Sequence, residues 1–386
     1  MISTFTACTS EIDEPELAVR EILEQLGAAR GLKKHSVGIL SCHADFLESG
    51  VVADLQEKLP FPLVGITSLG SATQAQYGID ILSLCVLSSD EVVFSVALTG
   101  SLEDEQDAPI QEAYARAASN LSEAPSLVFA FAPMLNHVGG ERLLHYLDKA
   151  GKGTPVFGTL TCDHNFDFSL AQVLYRGKHY KDRMAMVLMS GPVRASFFTI
   201  AVPEDNIHKQ SAVITASQGN VVQTVNDRPV LEYLESIGLS RSAGLEGSKN
   251  IPIVLDYNDG TPPVARCFYM ISPEGYAVCG GEMPMDSTFA LGRMEGEDVL
   301  RSAQTVLERI QKETRATGLF IVSCIVRSVT LEMEPLAEAA RVRELLPSNL
   351  PYFLCYSGGE ICPVYGKAGQ IANRFHNFSF TVCVFS

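Results

Sequence analysis

A glycine-rich segment close to the end of the chain has the residue types of a ligand site. An apolar stretch, 351–356, leads into Ser357-Gly358-Gly359-Glu360. Glycine has no Cβ, so it lets a ligand or another backbone approach closely. A carboxylate such as Glu360 is costly to bury unless it is paired or contacts a ligand. The segment indicates either a ligand site or a tight turn with a solvated glutamate, and the residues by themselves leave both interpretations open.

Other polar residues stand at positions where an α/β sheet collects its ligands. The apolar stretch 318–324 ends at Cys324 and is followed by Arg327, and His376 and Asn377 precede the last apolar stretch. Ligands of parallel α/β sheets bind at the carboxyl ends of the strands. A set that contains one cationic side chain, Arg327, and one anionic side chain, Glu360, suits a small zwitterion or a carboxylate better than a phosphate. The structural alternatives are an ion pair of Arg327 with the glutamate of the glycine segment, and a histidine that orients the last strand.

Several motifs for nucleotides, metals and nucleophiles are missing from the sequence. There is no Gly-x-Gly-x-x-Gly after the first strand and no Gly-x-x-x-x-Gly-Lys-Ser/Thr, so nucleotide binding has no support. There is no Gly-x-Ser-x-Gly, His-Glu-x-x-His or Cys-x-x-Cys, so a serine nucleophile elbow and the common zinc sites are not indicated. Cys42 and His43 are adjacent on an extended stretch, and adjacent strand residues point to opposite faces. The residues therefore set out no catalytic mechanism.

The elements that would position these residues recur three times along the chain. Each unit is an apolar strand, an amphipathic helix and a second apolar strand that begins at a proline. The predicted elements are 36–43, 50–58 and 62–68 in the first unit, 126–133, 140–150 and 155–162 in the second, and 318–324, 335–346 and 351–356 in the third. Strands that are apolar at almost every position are buried on both faces, as in parallel strand-helix-strand units. Antiparallel strands follow each unit, so the predicted fold class is α/β with repeated strand-helix-strand units and mixed sheets.

The segment between the second and third units has a different pattern and indicates a division into two domains. It contains a predicted strand 220–225, a helix 226–238, a polar loop 240–250, and strands at 251–255, 264–271 and 276–279. We therefore predict an N-terminal helix for 1–34, one α/β domain at 35–203 and a second α/β domain at 220–386.

Composition and charge are those of an ordinary globular protein. The net charge is −16, from 45 acidic against 29 basic residues, which argues against nucleic acid and anionic membranes as partners. The sequence has no signal-peptide pattern and no uninterrupted apolar stretch of membrane-spanning length, so neither secretion nor a transmembrane helix is expected. Several of the ten cysteines lie inside apolar strands, which is typical of reduced thiols. The expected location is the cytoplasm.

Groups of residues in both halves give the chain a resemblance to the FIST family, whose members carry an N-terminal and a C-terminal FIST region in tandem. The C-terminal groups are Val225-Asn-Asp-Arg-Pro229-Val-Leu-Glu-Tyr233, Phe320-Ile-Val-Ser-Cys324-Ile-Val-Arg327, and Tyr356-Ser-Gly-Gly-Glu360-Ile with His376-Asn377. The N-terminal half resembles the family through Pro62-Leu-Val-Gly65 and the sheet pattern. The resemblance extends from about His35 to the end of the chain.

The resemblance implies a sensory input module that binds a small molecule, with an amino acid or small carboxylate as the favoured class. The sequence shows no kinase, cyclase or methyl-accepting region, so a separate signalling protein is the expected partner, and the oligomeric state is left open. The predicted ligand-binding residues are Cys324, Arg327, Ser357, Gly358, Gly359, Glu360, His376 and Asn377. This interpretation requires no metal and no cofactor.

Two alternatives to the binding module stay open. Some family members bind haem and respond to nitric oxide, and a haem iron needs an axial ligand, for which His43, His137 and His376 are the candidates. An enzyme would use Cys324 or Cys362 as a nucleophile, which requires a depressed thiol pKa. The sensory binding protein is the leading interpretation.

Overall fold

A computed structural model describes residues 1–28, 31–135, 137–165, 167–238 and 251–386 of the chain. The predicted loop 240–250 lies outside the described residues. Within the described part, three repeats with the same order of elements form the body of the molecule: strand, helix, strand, helix, strand, hairpin, strand. The structure thus extends each predicted strand-helix-strand unit by a helix and a strand in front of it.

The first repeat spans the N-terminal residues. Its elements are β1 (Ser3–Thr9), α1 (Pro15–Ala28), β2 (His35–Cys42), α2 (Asp45–Glu48), α3 (Val51–Lys58), β3 (Leu63–Thr67), β4 (Ser71–Thr73), β5 (Tyr77–Gly78) and β6 (Leu82–Ser89). Within the segment 1–34, for which a helix was predicted, the structure has the strand β1 as well as the helix α1. β1 pairs antiparallel with β6 along its whole length.

The second repeat follows directly and ends at residue 190. Its elements are β7 (Val93–Leu98), α4 (Asp107–Ala118), β8 (Leu127–Ala132), α5 (Gly140–Gly151), β9 (Val156–Leu160), β10 (Val173–Tyr175), β11 (Lys178–Tyr180) and β12 (Ala185–Ser190). α4 was not predicted, since its run of alanines and acids has a weak apolar face.

The third repeat is interrupted after its first strand by an inserted segment. After β13 (Ala195–Ile200) the insert contains β14 (Ile207–Gln218), β15 (Val221–Val225), β16 (Arg228–Pro229), α6 (Val230–Ser236), β17 (Pro252–Asp256), β18 (Val264–Ile271), β19 (Ala277–Cys279) and β20 (Thr288–Gly292). The repeat then resumes with α7 (Gly296–Glu313), β21 (Gly318–Cys324), α8 (Ile325–Thr330), α9 (Ala337–Leu345), β22 (Tyr352–Ser357), β23 (Glu360–Tyr365), β24 (Ile371–His376) and β25 (Phe380–Phe385).

Each repeat builds a sheet of its own and completes the sheet of another repeat. The strand orders are β1-β6-β2-β3-β10-β11, β7-β12-β8-β9-β23-β24 and β13-β25-β21-β22-β4-β5. The first four strands of each sheet belong to one repeat, and the last two are a hairpin from a different repeat. The second repeat donates its hairpin to the first, the third to the second, and the first to the third. The predicted fold class, α/β with repeated units and mixed sheets, is confirmed.

The three sheets face one another around a common core, and helices cover their outer faces. The inner faces supply a cluster of aromatic rings, with ring centroids 5.1 Å apart for Phe129 and Phe320 and 4.8 Å apart for Phe320 and Phe353. The outer faces pack on the pairs α1 and α3, α4 and α5, and α7 and α9. Strands covered on both sides explain why the sequence is apolar at almost every strand position.

The insert is a closed antiparallel barrel. β14 pairs with both β20 and β15, which closes the ring β14-β20-β17-β18-β19-β15, and β16 extends β15. Its interior is apolar and includes Ile214, Leu255 and Phe289, on which the buried face of α6 packs. The barrel docks on the body through β18, which contacts β24.

No helix within the described ranges combines the length and the hydropathy that crossing a bilayer demands.

In each of the first two repeats, a glycine at the equivalent position lets two parallel strands approach closely. A Cβ at Gly65 would lie 1.8 Å from the carbonyl oxygen of Leu40, and a Cβ at Gly158 would lie 2.0 Å from that of Ala130. Both contacts are to the backbone of the parallel neighbour strand, which cannot move aside without breaking the sheet. The Pro-x-x-Gly pattern shared by these two repeats follows from this close approach.

We expect Gly65→Ala to destabilise the protein by more than about 3 kcal/mol, because the new methyl overlaps a strand carbonyl. Gly27→Ala is the matched control, since Gly27 lies in the helix α1 with open space around it, and alanine there is expected to stabilise by up to about 1 kcal/mol. Denaturant unfolding measures both changes. Equal stability of the two variants would contradict the close approach at Gly65.

Candidate functional site

Strand register brings most of the predicted ligand-binding residues together at one end of the third repeat. β21 and β22 run parallel with Cys324 opposite Ser357, and β23 pairs antiparallel with β24 so that Glu360 lies opposite His376. Asn377 follows directly after β24. The turns between these strands are short, so the polar ends of two strand pairs meet at a single place.

Glu360 is fully buried at this place. Its Oε2 accepts hydrogen bonds from the backbone N–H and the hydroxyl of Ser379, at 3.2 and 2.7 Å. Its Oε1 has no hydrogen-bond partner among the described residues. Burial raises the pKa of Glu360 to about 8, and the bonds from Ser379 and the nearby thiol of Cys324 oppose that rise. The glutamate is therefore an uncharged acid at neutral pH and does not lie in solvent.

His376 and Asn377 are also buried, and each uses part of its bonding capacity. Burial lowers the pKa of His376 to about 3, so the ring is neutral, and its Nε2–H donates to the carbonyl oxygen of Cys362 at 3.2 Å. The backbone N–H of Asn377 donates to the carbonyl oxygen of Ala265 in the barrel at 3.1 Å. The side-chain Oδ1 of Asn377 has no partner within the described part of the chain.

Arg327 makes a buried ion pair, but with Glu338 of α9 and not with the glutamate of the glycine segment. Arg327 Nε donates to Glu338 Oε1 at 3.0 Å, and Nη2 donates to the same oxygen, to the Ser302 hydroxyl and to the Val299 carbonyl. Both side chains are fully buried. Nη1 has no partner among the residues that the structure describes, so the guanidinium keeps unused donors. Nothing in the sequence singled out Glu338, which sits on an ordinary amphipathic helix.

The two glycines before the glutamate are needed for close packing. A Cβ at Gly358 would lie 2.7 Å from the carbonyl oxygen of Thr161, and a Cβ at Gly359 would lie 2.2 Å from the ring of Phe375. The hydroxyl of Ser357 accepts the backbone N–H of Gly359 at 2.9 Å. The small size of Gly358 therefore serves the contact between the second and third repeats, and that of Gly359 serves the contact with β24 of its own repeat. The polar side chains beside them make up the site.

Two more Gly-Gly-Glu tripeptides lie close to this site. They are 139–141 at the start of α5 and 280–282 after β19, in addition to 358–360. Gly140 and Gly359 both contact the ring of Phe375, and Gly281 lies against the carboxylate of Glu141. The threefold recurrence of Gly-Gly-Glu was the signal in the sequence that could have identified Glu141.

A second buried charged pair stands beside the site, between the barrel and the body. Arg266 of β18 is fully buried and its Nη2 lies 2.7 Å from Oε1 of Glu141. Burial raises the pKa of Glu141, and the guanidinium opposes that rise. Sequence reasoning missed Arg266, because an arginine inside a strand of this composition gives no sign of its partner.

The cysteines have the properties of structural thiols. All ten are buried and none forms a disulfide. Burial raises the pKa of Cys324 and of Cys362 well above the ordinary thiol value, and the nearby Glu360 adds to the rise. A nucleophilic cysteine needs the opposite shift.

The three histidines considered as haem ligands have separate surroundings. His43 is buried and stacks on the ring of His164 at 4.3 Å, and the exposed His137 lies with Nε2 2.6 Å from the carbonyl oxygen of Glu103. His376 faces the carbonyl of Cys362. Among the described residues, no group of three or more His, Cys, Asp or Glu side chains could hold a metal ion.

Comparison with models of known protein families gives two matches that together cover most of the chain. The family model described as the FIST N domain matches residues 36–228, and that described as the FIST C domain matches residues 230–363. The chain belongs to the FIST family. FIST domains are sensory domains that bind small ligands, and the glycine segment lies at the end of the FIST C match.

Comparisons with curated proteins and with solved structures add no information about the function of this FIST protein. A search of curated proteins finds no match. Among solved structures, a cyanuric acid hydrolase from A. caulinodans aligns over 100% of this chain and 99% of its own, with 9% identity and a TM-score of 0.33. A likeness this low carries no argument about function.

The buried carboxyl predicts a pH dependence of stability. Glu360 has a pKa of about 8 in the folded protein and about 4.3 in an unfolded chain. Its stabilising contribution is complete below the unfolded pKa and is lost as the pH rises through the folded value. Between about pH 6.5 and pH 8, we expect the parent to lose about 2 kcal/mol of unfolding free energy relative to Glu360→Gln.

Urea unfolding of the two proteins across this pH range measures the difference. His376 does not interfere, because its lowered pKa costs stability only as the pH falls below its unfolded value of about 6.5. Parallel curves for parent and Glu360→Gln would mean that the carboxyl ionises normally.

Proposed function

We propose that this FIST protein is a cytoplasmic sensor that binds an amino acid or a small carboxylate and passes the signal to a separate protein. The observation that carries the proposal is a set of buried polar atoms without partners among the described residues. They are Arg327 Nη1, Glu360 Oε1 and Asn377 Oδ1. They differ in character, since one is a donor on a fixed cation, one belongs to an uncharged acid and one is an amide acceptor.

Energetics support a ligand at this place. Each buried polar group that is left unpaired costs about 1–3 kcal/mol, so native proteins keep few of them. The three atoms belong to one neighbourhood. Arg327 is close enough to Glu360 to affect its pKa, and Asn377 follows His376, which lies opposite Glu360. A bound molecule that satisfies all three would recover that energy on binding.

The chemistry of the three atoms favours a small zwitterion or carboxylate. A guanidinium nitrogen with free N–H groups is a good partner for a carboxylate. Glu360, uncharged at neutral pH, adds a hydrogen bond without repelling that carboxylate. The Oδ1 of Asn377 is an acceptor and suits an ammonium group. The cytoplasmic part of the proposal is supported by ten reduced, buried thiols.

A thermal-shift screen of the purified protein against amino acids, small carboxylates and haemin tests the proposal. We expect one amino acid or carboxylate to raise Tm by several degrees, since a ligand that binds only the folded state stabilises it. Glu360→Ala is expected to fold and to lose that shift. Glu105→Gln, on an exposed loop, is expected to keep it.

Each other outcome has a defined meaning. Equal shifts for parent and Glu360→Ala would place the ligand elsewhere. A shift with haemin alone, together with a Soret band, would replace the proposal with the haem alternative. A screen without any shift would contradict the ligand class.

A further inference from the structure

The candidate site is closed on the side of the barrel. Glu360, His376 and Asn377 are all buried, so a ligand reaches them only after part of the structure moves. The part that moves is the part whose contacts cover the site.

The barrel supplies that cover through β18 and the turn after β19. The carbonyl of Ala265 accepts the backbone N–H of Asn377 at 3.1 Å, and the carbonyl of Cys267 accepts that of Gly280 at 2.8 Å. A Cβ at Gly280 would lie 2.6 Å from Cys267 Sγ and 3.2 Å from Asn377 Oδ1. Glu360 is also close enough to raise the pKa of Cys267. These barrel residues therefore lie directly over the unpartnered amide oxygen.

One side chain fastens this cover to the body. All five N–H groups of Arg266 have acceptors within the described residues. Nε donates to the Glu282 carbonyl at 3.2 Å, Nη1 to the carbonyls of Ala265 and Phe375 at 2.9 Å each, and Nη2 to Tyr257 Oη at 2.6 Å and Glu141 Oε1 at 2.7 Å. Phe375 belongs to β24 and Glu141 to α5, so the arginine joins the barrel to two elements of the body.

We propose that the barrel is the gate of the candidate site and that the Glu141–Arg266 ion pair is its latch. The Arg266 side chain is fully buried and that of Glu141 is 12% exposed, and the carboxylate also accepts the backbone N–H of Glu282 at 2.9 Å. A second ion pair across the same junction, Arg374 with Asp259, is partly exposed. Exposed ion pairs contribute little free energy to a contact. Removing one partner of a buried pair leaves the other charge uncompensated, so the barrel contact is the part that loosens.

The latch also explains how occupancy of the site can be passed on. Residues 375–377 contribute His376 and Asn377 to the site, while the carbonyl of Phe375 and the N–H of Asn377 bind β18 of the barrel. The same three residues thus touch both the ligand site and the gate. A ligand that shifts them biases the position of the barrel. This role rests on the proposed function, whereas the gate itself can be tested without a ligand.

Cysteine labelling of the full chain without added ligand tests the gate. Cys267 lies at the junction of barrel and body, and Cys324 is close enough to Cys267 and Glu360 for both to raise its pKa. Opening would therefore expose Cys267 and Cys324 but leave Cys85 and Cys383 inside the core of the three sheets. The proteins are treated with iodoacetamide and the rate at each cysteine is read by peptide mass spectrometry. We expect Glu141→Gln to raise the rates at Cys267 and Cys324 by about tenfold or more, with the core cysteines unchanged.

Two further variants keep the test decisive. Asp107→Asn removes an exposed ion pair between α4 and α5 that does not touch the barrel, and its rates should equal those of the parent. Tyr257→Phe removes one bond to Arg266 without removing a charge, and should raise the same two rates by a smaller factor, about threefold, even if Glu141→Gln does not fold.

Unchanged rates at Cys267 and Cys324, or equal increases at all four cysteines, would overturn the gate, since the second result reports global unfolding. If the thermal-shift screen finds no ligand but the labelling rates change as expected, the proposed ligand class is rejected and the gate is retained.

Discussion

Each sheet of the body depends on backbone hydrogen bonds that its own repeat does not supply. The outer side of the second crossover strand, β3, β9 or β22, would be an open edge if its repeat stood alone, and open edges are costly when buried. A hairpin from another repeat closes that edge in all three cases. Each sheet is completed by one other repeat, and because the donation runs in a cycle all three repeats are needed to complete the set. The common aromatic core lies where their inner faces meet. The hairpins β4–β5 and β23–β24 also join the segments 35–203 and 220–386 by main-chain pairing.

The candidate site is a consequence of this exchange. Glu360 is the first residue of the hairpin that the third repeat donates, and the pairing sets it opposite Thr159 of the second repeat and His376 of its own. The glycines that precede it are small because the backbone of Thr161, directly after β9, and the ring of Phe375 pass close by. A buried acid with raised pKa is thus held at a junction of repeats, next to an arginine whose charge is only partly used by Glu338. Buried groups arranged in this way concentrate at functional sites.

The barrel makes the third repeat different from the other two. The first and second repeats have no insert between their first strand and the next helix, and their hairpins begin at the uncharged residues Ser71 and Val173. Only in the third repeat, within the described residues, do a charged hairpin start, a covering domain and a buried interdomain ion pair occur together. The asymmetry distinguishes one of three similar junctions, and it is at this junction that we propose the ligand site.

The sequence by itself determined the three strand-helix-strand units, since apolar runs, helical periodicity and prolines at strand starts are local signals. It also identified Cys324, Glu360, His376 and Asn377 as polar residues at the ends of strands, and the structure brings these together. Tertiary structure alone decided that Arg327 pairs with Glu338, that Glu360 is buried rather than solvated, and that Glu141 meets Arg266. Each of these facts depends on how elements pack in space: α9 against α8 for Arg327, the donated hairpin for Glu360 and the inserted barrel for Glu141. The exchange of hairpins positions Glu360 by pairing strands far apart in the chain, and the docking of the barrel brings Arg266 to Glu141. No local pattern of residues encodes either choice.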